Sequence, residues 1–162
     1  MSQPLDHEHW MREALALAAQ AAQKEEIPVG AIIVHHPMGG VPQIIGAGFN
    51  QRENDHDPSA HAEIVAMRQA GKALNHWRLL YCTLYVTLEP CPMCAGAIVQ
   101  SRLPRLVYGC LDPKAGAVHS LFQLCTDARL NHRVEVIPNI LAEESATLLK
   151  SFFAARRKSA GD

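Results

Sequence analysis

The chain carries almost no excess of charge. Fifteen Lys and Arg stand against sixteen Asp and Glu, a formal net charge of −1. No global field draws it to a polyanion, and any nucleic-acid contact has to come from a local site. It lacks an apolar run long enough to span a membrane. It also lacks an internal repeat, a low-complexity tract, an interdomain linker and a recognisable secretory leader. A membrane-spanning or modular protein is thereby excluded as the expectation. A single domain over residues 1–162 is expected instead, with a core from about 6 to 158. The five cysteines are an odd number, a poor basis for a disulfide framework, and a reducing cytoplasm is the expected location. Cys82, Cys110 and Cys125 read as small core residues without the spacing of a further metal ligand.

What is present reads as alternating elements. Residues 6–24 are rich in Ala and Leu, with Trp10, Leu15, Leu17 and Ala18 on an apolar stripe, and form a helix that Pro28-Val29-Gly30 stops. Ala31–Val34 and Gln43–Phe49 are strands joined by a Gly/Pro turn, a hairpin. A helix follows at about 59–71, with Asp57 as N-cap and Pro58 at its first position. Then come a strand at Thr83–Leu88, a helix at Met93–Ser101, strands at Arg105–Tyr108 and Val134–Ile137, and a final helix from Leu141 to about Lys158. A hairpin followed by alternating helices and strands implies an α/β protein: three layers, α/β/α, around a mixed five-stranded sheet.

Two segments carry chemistry: His61-Ala62-Glu63 and Pro90-Cys91-Pro92-Met93-Cys94. Alone, each is weak. A single C-x-x-C is common in redox motifs, and a single buried His is usually a core residue. Together they describe a metal centre. Residues two apart on a helix are separated by about 200° of rotation, so His61 and Glu63 have to work at the helix end. Cys91 and Cys94, three apart, share a face at a helix start, where the dipole favours thiolates. One His and two Cys make three protein ligands for one Zn²⁺ per chain. A structural zinc site has four ligands, whereas a catalytic one keeps a position for water. Glu63 beside that water is the expected general acid/base. Both segments leave the carboxyl ends of strands, where open α/β sheets place ligands.

The sequence resembles the bacterial tRNA-specific adenosine deaminases from about Trp10 to Arg157. The resemblance rests on Pro28-Val29-Gly30-Ala31, Asn50, His56-Asp57-Pro58, His61-Ala62-Glu63 and the run Tyr85-Val86-Thr87-Leu88-Glu89-Pro90-Cys91-x-Met93-Cys94-Ala95-Gly96-Ala97. It continues at Asn131-His132-Arg133-Val134-Glu135, Phe152-Phe153 and Arg156-Arg157. H-x-E with P-C-x-x-C is the known signature of the zinc nucleobase deaminases as a class. It admits enzymes acting on free guanine or cytosine and, as a further alternative, a non-catalytic subunit that binds RNA or a partner. The Asn-His-Arg-Val-Glu segment and the aromatic-basic tail favour the tRNA enzyme, and Glu63 argues against a silent copy.

The resemblance implies a cytidine-deaminase-like fold, a homodimer and hydrolytic deamination of adenosine to inosine at the wobble position of an arginine tRNA with an ACG anticodon. It implies that Asn50 hydrogen-bonds the adenine and that the Ala62 backbone helps orient it. Asn50 also reads as an ordinary turn residue. Phe153 is placed to stack on an unpaired base. Arg156 and Arg157 are placed for RNA or, equally, for the dipole of the last helix. Asp112 and Lys114 are suited to ribose and phosphate contact or to a solvated loop. Two departures stand out: the hairpin turn at 35–42 is longer than the usual short one, and Cys110 stands where a smaller residue is common.

Overall fold

A hydrophobic strand pair, β1 (Gly30–His35) and β3 (Cys82–Leu88), forms the centre of the sheet. Both are buried almost end to end. In the computed structural model, which describes residues 5–161, β2 (Gln43–Phe49) pairs antiparallel with β1, and β1 pairs antiparallel with β3. β4 (Arg105–Cys110) and β5 (Glu135–Ile137) continue parallel to β3, giving the order β2-β1-β3-β4-β5. Only β1 runs against the other four strands, so the carboxyl ends of β2, β3 and β4 meet at one edge of the sheet.

Successive strand residues face opposite sides, and the core divides accordingly. Ala31, Ile33, Leu84, Val86 and Leu106 pack under helices α2 (Ala62–Leu74) and α3 (Pro92–Gln100). Ile32, Val34, Tyr85 and Val107 pack under α1 (His7–Gln23), whose Met11 and Ala14 are fully buried. The last helix, α4 (Ala142–Ala160), joins α1 on that second face through Leu141 and Ser145. The expected three-layer α/β/α sandwich with a mixed five-stranded sheet is therefore present. Gly46 is needed for the close seat of α2, because a Cβ there would lie 2.1 Å from the Ala66 carbonyl oxygen.

One helix start differs from expectation. α2 begins at Ala62, with His61 as its N-cap residue in extended conformation. Asp57 does not cap it. The Asp57 Oδ1 accepts the Ser59 N–H at 2.8 Å and the Ser59 hydroxyl at 2.7 Å, closing a local turn. α1 is capped by Asp6, whose side chain accepts the His9 N–H. α3 starts one residue earlier than expected, with Cys91 as N-cap and Pro92 in its first turn. Cys82 and Cys125 are buried in the core, where burial pushes their thiols up to about 11 and about 12.

Candidate active site

His61 and Cys91 each occupy a helix N-cap position, yet neither side chain caps its own helix. Their polar atoms point at one another. His61 Nδ1 lies 3.6 Å from the Cys91 sulfur and 3.6 Å from the Cys94 sulfur. All three donor atoms fall within 4.8 Å of one another, a group able to hold a metal ion and the sole such His/Cys/Asp/Glu group among the described residues.

The electrostatics are those of a shared negative charge. The hydrogen bond from Cys94, with help from His61, holds the Cys91 thiol down to about 4 despite burial. The same bond and burial push the Cys94 thiol upward. Hydrogen bonding to Cys91 raises His61. Glu63, in the first turn of α2, is 4% exposed, and its burial raises its pKa above the ordinary carboxyl range. A carboxyl raised in this way is suited to general acid/base work.

The orphan amide at the start of α2 is satisfied from outside the helix. Asn50, directly after β2 and 6% exposed, accepts the Ala62 N–H on Oδ1 at 2.9 Å. That leaves the Asn50 side-chain amide as a donor toward the cavity. The cavity has a volume of about 260 Å³ and is lined by Val29, Asn50, His61, Glu63, Cys91 and Asp112 among others. Ala62 itself is fully buried, with its N–H already engaged.

An adjoining groove of about 770 Å³ shares Ile27, Leu88, Asp112 and Ala115 with that cavity. Asp112, Lys114, Phe153 and Arg157 all line it. Arg156 faces elsewhere. Its guanidinium donates to the Glu25 carbonyl at 2.9 Å, lies 3.4 Å from the Glu53 carboxylate and stacks on the Phe152 ring at 4.6 Å. Lys150 also lines the groove, and sequence reading missed it. The signal was available: Lys150, Phe153 and Arg157 fall at i, i+3 and i+7 on one face of α4. Sequence reading also missed a role for Glu89, for which a single chain gives no cue beyond its place before Pro90-Cys91.

The sequence matches the family model described as MafB19-like deaminase over residues 5–157. It is 49% identical over 151 residues to a tRNA-specific adenosine deaminase of Haemophilus influenzae, covering 93% of this chain and 85% of that protein. A solved structure from a study of A-to-I editing by tRNA:A34 deaminases at the wobble position superposes with a TM-score of 0.81 at 40% identity, covering 87% of this chain and 99% of that one. A guanine deaminase from Bacillus subtilis superposes less closely, with a TM-score of 0.61 at 31% identity over 94% of this chain and 95% of that one. The buried Glu63 beside the His61-Cys91-Cys94 cluster, joined to this likeness over nearly the whole length, assigns the chain to the tRNA-specific adenosine deaminases.

Proposed function

We propose that this chain is a zinc-dependent hydrolase that converts adenosine to inosine at the wobble position of a tRNA anticodon. An arginine tRNA with an ACG anticodon is its substrate. The observation that carries the reading is the cluster of His61, Cys91 and Cys94 beside the cavity that His61, Cys91 and buried Glu63 line.

The donor set fits zinc. With Zn–S near 2.3 Å and Zn–N near 2.0–2.1 Å, a tetrahedral angle separates sulfur from nitrogen by about 3.6 Å. The two sulfur–nitrogen separations are 3.6 Å each. Three protein ligands leave a fourth position for water. His61, Cys91 and Cys94 would hold the zinc, which when bound would supply a nucleophile from water at neutral pH.

The remaining work belongs to the protein. Glu63 takes the proton of the attacking water and delivers it to N1 of adenine. It then carries the remaining water proton, now on the C6 hydroxyl, to the departing amine; the C6–N bond breaks as C6=O forms, so that adenosine and water become inosine and ammonia. The Asn50 amide donates to the base, and the Ala62 N–H fixes the Asn50 rotamer, orienting the base through it. Asp112, Lys114, Phe153 and Arg157 receive the target ribose and the flanking nucleotides in the groove. Arg156 reaches the same RNA only by leaving the Glu25 carbonyl and the Phe152 ring as well as Glu53, an exposed ion pair worth little by itself.

The working form is a homodimer in the cytoplasm. An apolar hollow of about 660 Å³ on the α2/α3 face, lined by Ile64, Met67, Leu79 and Ala97, adjoins Trp77, which is 58% exposed. Patches of this kind mark association surfaces. Among the described residues no helix is long and apolar enough to cross a membrane.

The test is incubation of purified protein with tRNA bearing an ACG anticodon, followed by sequencing for inosine. Inosine at the wobble position is the expected result. Deamination of free guanine or cytosine without inosine in tRNA would overturn the reading.

A further inference from the structure

Glu89 closes the gap between β3 and the Cys91 segment and is 2% exposed. A buried carboxylate requires a full set of donors. Every donor that its oxygens receive comes from the single loop that follows β4. Oε1 accepts the Asp112 N–H at 3.0 Å and the Ser120 hydroxyl at 2.5 Å. Oε2 accepts the N–H groups of Val118, His119 and Ser120 at 3.1, 2.8 and 2.9 Å. The loop curls around the carboxylate so tightly that a Cβ on Gly116 would lie 2.3–2.4 Å from the carboxyl atoms. The same loop places Asp112 in the wall between the cavity and the groove. Asp112 Oδ1 in turn accepts the N–H groups of Lys114 and Ala115 at 3.1 and 3.2 Å.

We propose that Glu89 is a positioning residue for the RNA substrate. Its carboxylate fastens the Asp112–Ser120 loop to the segment bearing Cys91 and Cys94. It thereby sets the distance between the groups that meet the target ribose and phosphate and the centre that acts on the base. The inference rests on the function proposed above and goes further, because it assigns the substrate-binding effect of Glu89, which itself lines the cavity, to its hold on the loop. Glutamine has nearly the same shape, but it offers one acceptor oxygen where Glu89 uses two. With Glu89→Gln, at least two loop donors lose their acceptor and the loop is released.

The experiment uses the zinc-loaded protein and an anticodon stem-loop RNA with an ACG anticodon. Zinc content, RNA Kd, KM and kcat are measured for wild type, Glu89→Gln, Asp112→Ala and the double variant. The expected result for Glu89→Gln is one zinc per chain, Kd and KM raised about tenfold or more, as for the loss of a charged hydrogen bond, and kcat altered much less. Because Glu89 acts through Asp112, the double variant shows no more loss of affinity than the worse single variant. Unchanged Kd and KM, or losses that multiply in the double variant, would overturn the inference. If Glu89→Gln fails to fold, Ser120→Ala removes one donor alone. It is expected to raise Kd without multiplying the Asp112→Ala effect, and an unchanged Kd there also overturns the inference. Absence of inosine from the wild type would sink the proposed function itself, a result distinct from either outcome among the variants.

Discussion

The side-chain oxygen of Asn50 and the backbone amide of Ala62 are joined by a hydrogen bond of 2.9 Å. Through it, the end of β2 caps a helix whose own N-cap residue, His61, is turned to Cys91 and Cys94. With the proposed substrate contact, Asn50 has two separable duties. Asn50→Ala is expected to cost about 1 kcal/mol of stability, the usual worth of a helix cap, and to weaken substrate binding. Asn50→Asp keeps the acceptor and loses the donor. It should recover much of the Tm lost in Asn50→Ala while leaving deamination impaired. Recovery of activity along with Tm would remove the substrate role.

Glu63 is assigned to proton transfer and not to the metal. Glu63→Ala should retain one zinc per chain by elemental analysis. Deamination of the ACG stem-loop should fall at least about 10²-fold, the lower end for positioned acid/base catalysis. Loss of zinc from this variant would show that the role is wrong.

Cys94 and Cys82 are both buried, but only Cys94 lies in the cluster able to hold a metal. Cys94→Ala is expected to lose zinc, activity and thermal stability together, because metal binding adds to folding free energy. Cys82→Ala should keep its zinc. A chelator should lower the Tm of wild type and of Cys82→Ala, and leave the Tm of Cys94→Ala unmoved.

The two arginines near the end of α4 should differ. Arg157 lines the groove, whereas Arg156 is held by Glu25 and Glu53. Arg157→Ala is expected to weaken RNA binding and to make the slope of log affinity against log salt shallower by roughly 0.7, the value for one phosphate contact on single-stranded RNA. Arg156→Ala should do less. Phe153→Ala should cost about 1–3 kcal/mol of binding with little change of slope, since stacking is not ionic. Unchanged affinity in all three would confine α4 to packing and advance the free-base alternative.

At the opposite edge of the sheet, His7 meets the Tyr85 hydroxyl at 2.9 Å and His36 meets the Thr83 hydroxyl at 3.1 Å. Burial first, then Arg105, lowers both histidines below 6.5; His35 and His7 add to the effect on His36, while Glu135 and Asp6 oppose it on His7. The unfolded chain then binds more protons than the folded one as pH drops through 6.5. Stability rises with pH across that window and is progressively lost below it. Tm measured from pH 7.5 to 5.5 should fall less for a His7→Gln, His36→Gln double variant than for wild type. Equal falls would refute the assignment.

The elements were legible where apolar periodicity ran uninterrupted: α1, the hairpin strands, β3 and α4 all lie where the pattern puts them. The grouping of His61, Cys91 and Cys94 was legible in the spacing of two short motifs, and the fold brings their three donor atoms together. The start of α2 was misread because Asp57-Pro58 has the composition of a cap, and only the fold reveals that Ser59 has already taken the Asp57 oxygen. Arg156 and Glu53 are 103 residues apart, and Glu89 meets partners up to 31 residues away. No local pattern encodes either meeting.

The placement of His61 and Cys91 at two helix starts has a consequence for anyone redesigning the chain. N-cap optimisation is among the easier routes to thermal hardening, and at α2 and α3 that route is closed. A serine or aspartate at either position would improve the helix and dismantle the metal-binding cluster. Asn50, the residue that follows β2, supports one of these starts, and Pro92 supports the other by lacking an N–H that would need a partner. Hardening has to be sought elsewhere in the chain.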